Sequence, residues 1–353
     1  MVTNDNLFNE VINPENLFQA WEEFKRGKQK KPDVLNFEKN LEQNIFQLHR
    51  DLTDRTYKHG PYSSFYIYDP KRRHIHKATV RDRVLHHVIF RVLNWVFEPT
   101  FIPRSFSCRF GKGTHKGVTV LEQMQRQISQ NYSRSGFALK CDVKKFFDTI
   151  DHSFLLTIIK RRISDQNAIW LLEEIIESFL SEYSDLFNRR GVPIGNLTSQ
   201  LFANVYMNEF DQFVKHELRV KNYVRYTDDF IVVSAEVDYL LDLIKPMAKF
   251  LRTKLGLSLH PEKVSIGKVS QGTDFLGYVL LPYHRRLRKR SERRMWRKID
   301  LKRQSYRNGQ ISEASYGGTI NSYLGVLSHA NAYRQSEKIR NEFWFNMNNE
   351  GIL

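Results

Sequence analysis

The segment YVRYTDDFIVVS, residues 223–234, constrains the fold most strongly, because it places two adjacent carboxylates between two apolar, β-branched runs. Such runs around a short polar break predict two strands joined by a tight turn that carries Asp228 and Asp229. Adjacent acids are common in ordinary turns, so the pair alone is a weak indication of a site. Between two strands, however, the like charges require a neutralising partner, and a metal ion would serve.

A third carboxylate, distant in the sequence, strengthens this interpretation. The apolar run FALKCD, residues 137–142, predicts a short strand that ends at Asp142. Phosphoryl transfer uses two divalent cations about 3.5–4 Å apart, and acids from different strands must converge to hold them. Mg²⁺ prefers a few carboxylates together with phosphate and water oxygens. Asp142, Asp228 and Asp229 therefore predict a site for two Mg²⁺ ions, with Mn²⁺ as an open alternative.

The charge balance indicates a nucleic-acid partner. Lys and Arg number 55 against 39 Asp and Glu, for a net charge of +16, and aromatic residues make up 13% of the chain. Cations displace counterions from phosphates and aromatic rings stack on unpaired bases, although a merely solvated basic surface stays an alternative. A chain of 353 residues is long enough for two or three lobes, which does not fit a one-domain peptide-binding module.

The sequence also bears on compartment. Two cysteines, Cys108 and Cys141, occur without a Cys/His cluster, so neither a disulfide framework nor a zinc site is supported. The N-terminus lacks a basic region followed by an apolar one, and no apolar run approaches the roughly 18 residues that span a bilayer. We expect a cytoplasmic protein without a membrane partner.

The periodicity of apolar residues gives a coarse element order. Helical spacing predicts helices over 16–26, 35–52, from about 80, within 153–182, and over 199–218 and 239–255. Alternation or short apolar runs predict strands over 62–69, 137–142, twice within 223–234, near 264 and over 275–281. The basic, Gly-rich segment 104–117 predicts a loop, either against phosphates or as a flexible connection.

Five motifs in the same order resemble those of reverse transcriptases. The box YTDD, residues 226–229, resembles their Y-x-D-D box, and DVKKFFDTI, residues 142–150, resembles their first palm motif. PIGNLTSQ at 193–200 resembles the next motif, FLGY at 275–278 the primer grip, and the region 71–83 the fingers. Five ordered motifs are more specific than any one. The resemblance implies an RNA-directed DNA polymerase that uses dNTP substrates.

The resemblance also implies an architecture: an α+β right hand, with fingers, a palm of antiparallel sheet and helices, and a helical thumb. We expect N-terminal helices and fingers over 1–135, a palm over 136–284 with an interleaved fingers segment at about 153–192, and a basic thumb over 285–353. The last boundary follows a change of composition, since residues 285–307 hold twelve Lys or Arg and two acids.

Roles for single residues follow from the same resemblance. Asp142 and Asp228 match metal-binding positions, the Val143 carbonyl is an expected further ligand, and Asp229 is the last catalytic position. The expected nucleotide-binding residues are Lys71, Arg73, Phe147, Ile194, Gly195 and Gln200. Phe147 stands where the family keeps a ring that collides with a ribose 2′-hydroxyl, although a core ring is the alternative.

Further roles concern proton transfer and duplex binding. Lys263 matches a position proposed to donate a proton to pyrophosphate, with an ordinary surface lysine as the alternative. The expected primer- and template-binding residues are Phe275, Leu276, Gly277, Tyr278, Arg285, Arg286, Arg288 and Arg290. A solvated helix face is the alternative for the basic run, but the interleaved Met295 and Trp296 weigh against it.

The motif at 191–200 differs between subgroups of reverse transcriptases. Ile194 and Gln200 depart from the Pro-Gln-Gly…Ser-Pro form of group II intron enzymes and resemble the reverse transcriptases of diversity-generating retroelements. That resemblance implies a bacterial or phage-encoded enzyme that copies a structured template RNA into an RNA–cDNA duplex with errors at template adenines. It also implies a small basic accessory protein. A retron, CRISPR-associated or abortive-infection enzyme stays open, as does an idle RNA-binding scaffold with a polymerase fold.

Overall fold

The structure of the chain, a computed structural model, describes residues 6–68, 72–185 and 187–348, with side chains as far as Trp344. Within those ranges the helices are α1 Leu7–Ile12, α2 Pro14–Lys25, α3 Pro32–Glu38, α4 Leu41–Thr53, α5 Val80–Phe97, α6 Thr114–Ile128, α7 Phe146–Thr149, α8 His152–Lys160, α9 Gln166–Glu177, α10 Leu197–Gln212, α11 Val237–Leu255, α12 Lys289–Arg307, α13 Glu313–Leu327 and α14 Tyr333–Asn348. The strands are β1 Ser63–Ile67, β2 Arg73–Lys77, β3 Phe137–Asp142, β4 Tyr223–Tyr226, β5 Asp229–Ser234, β6 Ser265–Lys268, β7 Thr273–Phe275, β8 Tyr278–Leu281 and β9 His284–Leu287. The predicted α+β class is confirmed.

Two long helical predictions are each divided in the structure. The range 35–52 forms α3 and α4, and the side-chain amide of Asn44 donates to the carbonyl of Phe37 at 2.9 Å, which satisfies an acceptor at the end of α3. The range 153–182 forms α8 and α9, and the Asp165 carboxylate accepts from two backbone N–H groups to start the second helix. The helices end and begin where the polar side chains of Asn44 and Asp165 bond to free backbone groups, and the spacing of apolar residues does not predict such bonds.

The central sheet has the order β4-β5-β3-β6, with antiparallel pairing throughout. Alternate residues face opposite ways in a strand. Leu139 and Phe230 therefore join the larger apolar core, whereas Ala138 and Ile231 join a smaller one. Helices α10 and α11 pack on the first face and α6 on the second. Burial on both faces explains why these strands are apolar runs and not alternating ones.

A separate hairpin, β1 and β2, docks against the loop before α10. The N–H of His76 donates to the carbonyl of Ile194 at 3.1 Å, and the Asn196 side chain donates to the His76 carbonyl at 3.0 Å. Gly195 has φ +116, and a Cβ there would lie 2.9 Å from Cγ2 of Ile75. The approach of loop and hairpin therefore requires glycine at 195.

The C-terminal part begins with a small sheet of order β7-β8-β9. Pairing continues to Leu287, so a boundary at 285 would divide β9, and the helical part begins at Lys289. Helices α12 to α14 share an apolar cluster of their own that includes Met295, Tyr316 and Ile320. In the part of the chain that the structure describes, no helix is both long and apolar enough to cross a bilayer.

Replacing Gly195 with alanine should lower the free energy of unfolding by about 1–3 kcal/mol. Alanine would have to adopt a positive φ that residues with a Cβ rarely adopt, and its Cβ would lie too close to Ile75. Gly267→Ala is the matched control, since Gly267 has open space around it. Urea denaturation of both variants measures the difference. Equal effects of the two substitutions would contradict the packing described for Gly195.

Candidate active site

Three carboxylates converge at one end of the central sheet. The register of β3 and β5 sets Asp142 opposite Asp229. Tyr226 pairs with Asp229, which leaves Thr227 and Asp228 as the turn of the β4–β5 hairpin. The N–H of Val143 donates to the carbonyl of Asp228 at 3.2 Å and ties this turn to the end of β3. Residues 86 positions apart in the sequence are thereby brought together, as the two strand predictions require.

The acids are held in an environment that disfavours their charges. Burial, and then the charge of Asp142, raises the pKa of Asp228 to about 6. Burial also raises the pKa of Asp229 to about 6, against the opposing effect of Lys140 and with a further rise from Asp228. One oxygen of Asp229, Oδ1, is buried and accepts no hydrogen bond. A buried carboxylate oxygen without a donor is unfavourable unless a cation or another donor reaches it.

Basic side chains neutralise part of this charge. Lys263 Nζ lies 2.7 Å from Oδ1 of Asp142, and Lys140 Nζ lies 3.7 Å from Oδ2 of Asp229. The positive charge of Lys263, and less strongly that of Arg73 at the start of β2, opposes the rise in the pKa of Asp228. Lys263 therefore acts on both Asp142 and Asp228, whereas Lys140 lies beside Asp229.

The donor set fits a hard divalent cation. Carboxylate oxygens are the ligands that Mg²⁺ and Mn²⁺ prefer, and one of those at the site has no partner within the chain. Among the described residues, no three His, Cys, Asp or Glu side chains are close enough together to form a ligand group. Mg²⁺ commonly binds through one or two carboxylates and completes its shell with phosphate and water oxygens.

The predicted nucleotide-binding residues lie around the β1–β2 hairpin and the loop that it contacts. Arg73 is exposed at the start of β2, whereas Lys71 lies outside the described residues. Ile194 is half-buried, and Gly195 is exposed beside it. Gln200 lies in the first turn of α10, where its Oε1 accepts from Cys108 Sγ at 3.4 Å.

Phe147 lies in α7, five residues after Asp142. It is half-buried and packs against the larger core, whereas its neighbour Phe146 is 2% exposed and belongs to that core. The two rings meet edge to face, with centroids 5.4 Å apart and an angle of 68° between their planes. Phe147 thus keeps an accessible edge, which a fully buried core ring would not.

The four predicted primer-contact residues differ in exposure. Phe275 is 0% and Tyr278 is 3% exposed, and both pack in the smaller core. The Tyr278 hydroxyl donates to the carbonyl of Val326 at 3.1 Å. Leu276 and Gly277 form the turn between β7 and β8, both with positive φ. Direct contact with a primer is therefore open to this turn, while the two rings hold it in place.

The predicted basic contacts also divide. Arg285 Nη2 lies 2.7 Å from Oε2 of Glu122, and Arg288 pairs with Asp274. Arg286 and Arg290 are exposed. Arg285 therefore joins β9 to α6, and Arg288 joins the residue before α12 to β7.

Sequence reasoning missed two charged residues beside the acids, Lys140 and Arg225. Lys140 also donates to the carbonyl of Asp274 at 2.8 Å, and Arg225 pairs with Asp211 of α10. A charged residue inside an otherwise apolar strand was the available signal in both FALKCD and YVRY. Their partners lie on other elements, so the signal alone could not name them.

Residues 68–280 match the reverse transcriptase (RNA-dependent DNA polymerase) family. Protein YkfC of Escherichia coli is 25% identical in an alignment that covers 64% of this chain and 67% of YkfC. The group II intron-encoded protein LtrA of Lactococcus lactis is also 25% identical, over 67% of this chain and 49% of LtrA, so the match spans about half of that relative. A structure of telomerase from Candida albicans in complex with telomeric RNA aligns with a TM-score of 0.48 and 12% identity, covering 78% of this chain and 56% of telomerase.

The family match extends over more than half of the chain and includes all three carboxylates, both strands of their hairpin and strand β2. It confirms the predicted polymerase-like fold. Reverse transcriptases as a family use divalent metal ions, in agreement with the donor set at the strand ends. The chain belongs to the reverse transcriptase family, the RNA-dependent DNA polymerases.

Proposed function

We propose that the chain is an RNA-directed DNA polymerase that extends a primer by nucleotidyl transfer at Asp142, Asp228 and Asp229. The observation that carries this proposal is the strand register that sets Asp142 opposite Asp229 with Asp228 in the adjoining turn. A scaffold that only bound RNA would gain nothing from three carboxylates that repel one another.

The residues that would hold two Mg²⁺ or Mn²⁺ ions are Asp142, Asp228 and the carbonyl of Val143. Bound there, the ions would lower the pKa of the primer 3′-hydroxyl and offset the charge of the triphosphate. Asp229, with its unpartnered oxygen, adds negative charge beside them and shapes the site.

Other residues of the chain would bind and orient the nucleotide. Arg73, with Lys71 on the same hairpin, would hold the triphosphate, since a guanidinium can donate two hydrogen bonds to one phosphate. The accessible edge of Phe147 would exclude a ribose 2′-hydroxyl, which selects dNTP over ribonucleotide substrates. Gly195 and Gln200 would contact the nucleotide from the loop and first turn of α10. Nζ of Lys263 lies 2.7 Å from Oδ1 of Asp142, and Lys263 would supply a proton to the departing pyrophosphate.

The basic C-terminal part would bind the RNA–cDNA duplex. The turn at Leu276 and Gly277 would meet the primer, and Arg286 and Arg290 would contact phosphates. Each phosphate contact adds about 0.7–0.9 to the slope of binding against salt concentration. The net charge of +16 supports the same partner.

We further propose that this polymerase serves a diversity-generating retroelement in the bacterial or phage-infected cytoplasm, with a structured template RNA and a small basic accessory protein. The support is Ile194. Its carbonyl accepts a hydrogen bond from the N–H of His76, which ties the backbone at this residue to β2. An isoleucine there offers apolar contact to the nucleotide without the directional hydrogen bond that a glutamine would donate.

Replacing Asp228 with asparagine should reduce dNTP incorporation on a primed RNA by about 1,000-fold or more, because a neutral amide binds a divalent cation poorly. Primer extension under single-turnover conditions measures the loss. Asp238→Asn, which removes an exposed acid at the start of α11, is the matched control and should retain activity. Full activity of the Asp228 variant would contradict the proposed chemistry.

The same substitution should stabilise the metal-free chain at high pH. The pKa of Asp228 is about 6 in the folded chain against its usual 3.8, so stability from this group is present at low pH and lost as the pH rises through 6. Asp228→Asn should therefore raise the free energy of unfolding by about 1–2 kcal/mol near pH 8, allowing for solvent screening, and by little near pH 4. Denaturation in the presence of a chelator tests this, and a gain that does not depend on pH would contradict it.

Replacing Ile194 with glutamine should lower misincorporation opposite template adenines severalfold, since the added hydrogen bond restrains the incoming nucleotide. Sequencing of cDNA made from one RNA, with the presumed accessory protein supplied, measures the error rate at each base. Errors opposite the other three bases are the internal control. An unchanged rate at adenines would remove this account of infidelity while leaving the polymerase proposal intact.

A further inference from the structure

Arg225 is a fully buried arginine in the middle of β4. Its side chain and that of Asp211, on α10, are both 0% exposed. The guanidinium grips the carboxylate with two hydrogen bonds, from Nε to Oδ1 at 2.8 Å and from Nη2 to Oδ2 at 2.6 Å. The hydroxyl of Tyr223 donates to the same carboxylate at 2.7 Å.

A buried ion pair is a poor way to gain stability. Removing two charges from water is unfavourable, and well-packed apolar side chains of similar volume often stabilise a fold equally well or better. The best-attested reason for such a pair is that it fixes one geometry among several. The other hydrogen bonds of Arg225 identify which geometry is fixed here.

Arg225 also holds the turn that carries Asp228. Its Nη1 donates to the carbonyl of Thr227 at 2.9 Å, and its Nη2 donates to the hydroxyl of Ser105 at 3.0 Å. The hydroxyl of Thr227 donates to that of Ser107 at 2.7 Å. Thr227 is thus bound on both its carbonyl and its hydroxyl.

The turn needs this restraint. Thr227 has φ +56, a left-handed conformation that a β-branched residue adopts only at a cost of about 1–3 kcal/mol. A two-residue hairpin turn with positive φ at its first position usually has glycine there. Without its partners the turn would relax and move Asp228, the next residue, relative to Asp142.

We propose that Arg225 is a positioning residue for nucleotidyl transfer: anchored by Asp211, it clamps the strained Thr227 turn and thereby sets Asp228 against Asp142. This inference rests on the polymerase function proposed above. It assigns to Arg225 a role at the proposed cation site through hydrogen bonds that its side chain makes to Asp211, Thr227 and Ser105.

The shape of arginine is needed for this role. The Arg225 side chain donates to four acceptors on three residues: both carboxylate oxygens of Asp211, the Thr227 carbonyl and the Ser105 hydroxyl. A lysine ammonium carries the same charge on a single nitrogen and cannot donate to all of them at once. Arg225→Lys should therefore keep the charge of Asp211 neutralised but lose the hydrogen bond to the Thr227 carbonyl that holds the turn.

The test compares Arg225→Lys with Tyr223→Phe, which removes one hydrogen bond from the same buried network without contacting the turn. We expect kcat of the lysine variant to fall about 100-fold, with KM for dNTP changed less than about threefold, since a displacement near 1 Å has effects of this size. Tyr223→Phe should lose thermal stability yet keep kcat within about threefold. Equal losses of kcat in both variants at matched stability would overturn the proposal.

A second measurement does not depend on catalysis. Added MgCl₂ should raise the melting temperature of the unaltered chain and of Tyr223→Phe, and raise that of Arg225→Lys much less, because ligand binding to the folded state stabilises it. An equal rise in all three would overturn the proposal. If MgCl₂ raises the melting temperature but the chain extends no primer, the proposed polymerase function is wrong. The comparison of melting temperatures then still tests whether Arg225 positions the acids.

If Arg225→Lys does not fold, Ser107→Ala provides the same comparison from the other side of the turn. It removes only the partner of the Thr227 hydroxyl. Its kcat should fall about tenfold with KM for dNTP unchanged, and its response to MgCl₂ should weaken, in line with a modest displacement of the turn. A folded Ser107 variant that matches the unaltered chain in both respects would overturn the clamp.

Discussion

Strand pairing in the central sheet holds three carboxylates, which repel one another, at one end of that sheet. Strand pairing sets Asp142 opposite Asp229 and leaves Asp228 in the adjoining turn. Burial raises the pKa of Asp228 and of Asp229 to about 6, so the folded chain disfavours the charged forms of both carboxyl groups. Such an arrangement lowers stability, and it persists because apolar burial on both faces of the sheet outweighs it.

Basic side chains act on these carboxylates in two ways. Lys140 and Lys263 lie beside Asp229 and Asp142 and offset their negative charge. Arg225 instead donates to the carbonyl of Thr227, and we propose that it thereby sets the position of Asp228. Lys140 also donates to the carbonyl of Asp274, next to the turn at 276–277. Lys140 therefore contacts both Asp229 in the central sheet and β7, the strand that leads into the turn proposed to meet the primer.

Much of the site could be predicted from the sequence, because its chemistry lies in local patterns. The acids at strand ends, the hairpin of 223–234 and the end of α11 at Gly256 all follow from composition and turn residues. The burial of Phe275 and Tyr278 did not follow, since a motif that matches a contact surface says nothing of which side chains pack inward. The pairing of Arg225 with Asp211 joins a strand to a helix, and only tertiary packing defines it.

Anomalous X-ray scattering from Mn²⁺ would show whether Asp142 and Asp228 hold divalent cations beside Asp229, as proposed. Crystals of the chain with primed RNA, a dNTP and Mn²⁺ would locate the ions without reference to turnover. We expect anomalous peaks in contact with the carboxylates of Asp142 and Asp228. Peaks only elsewhere, or these two side chains directed into separate regions, would show that the proposed cation site is wrong.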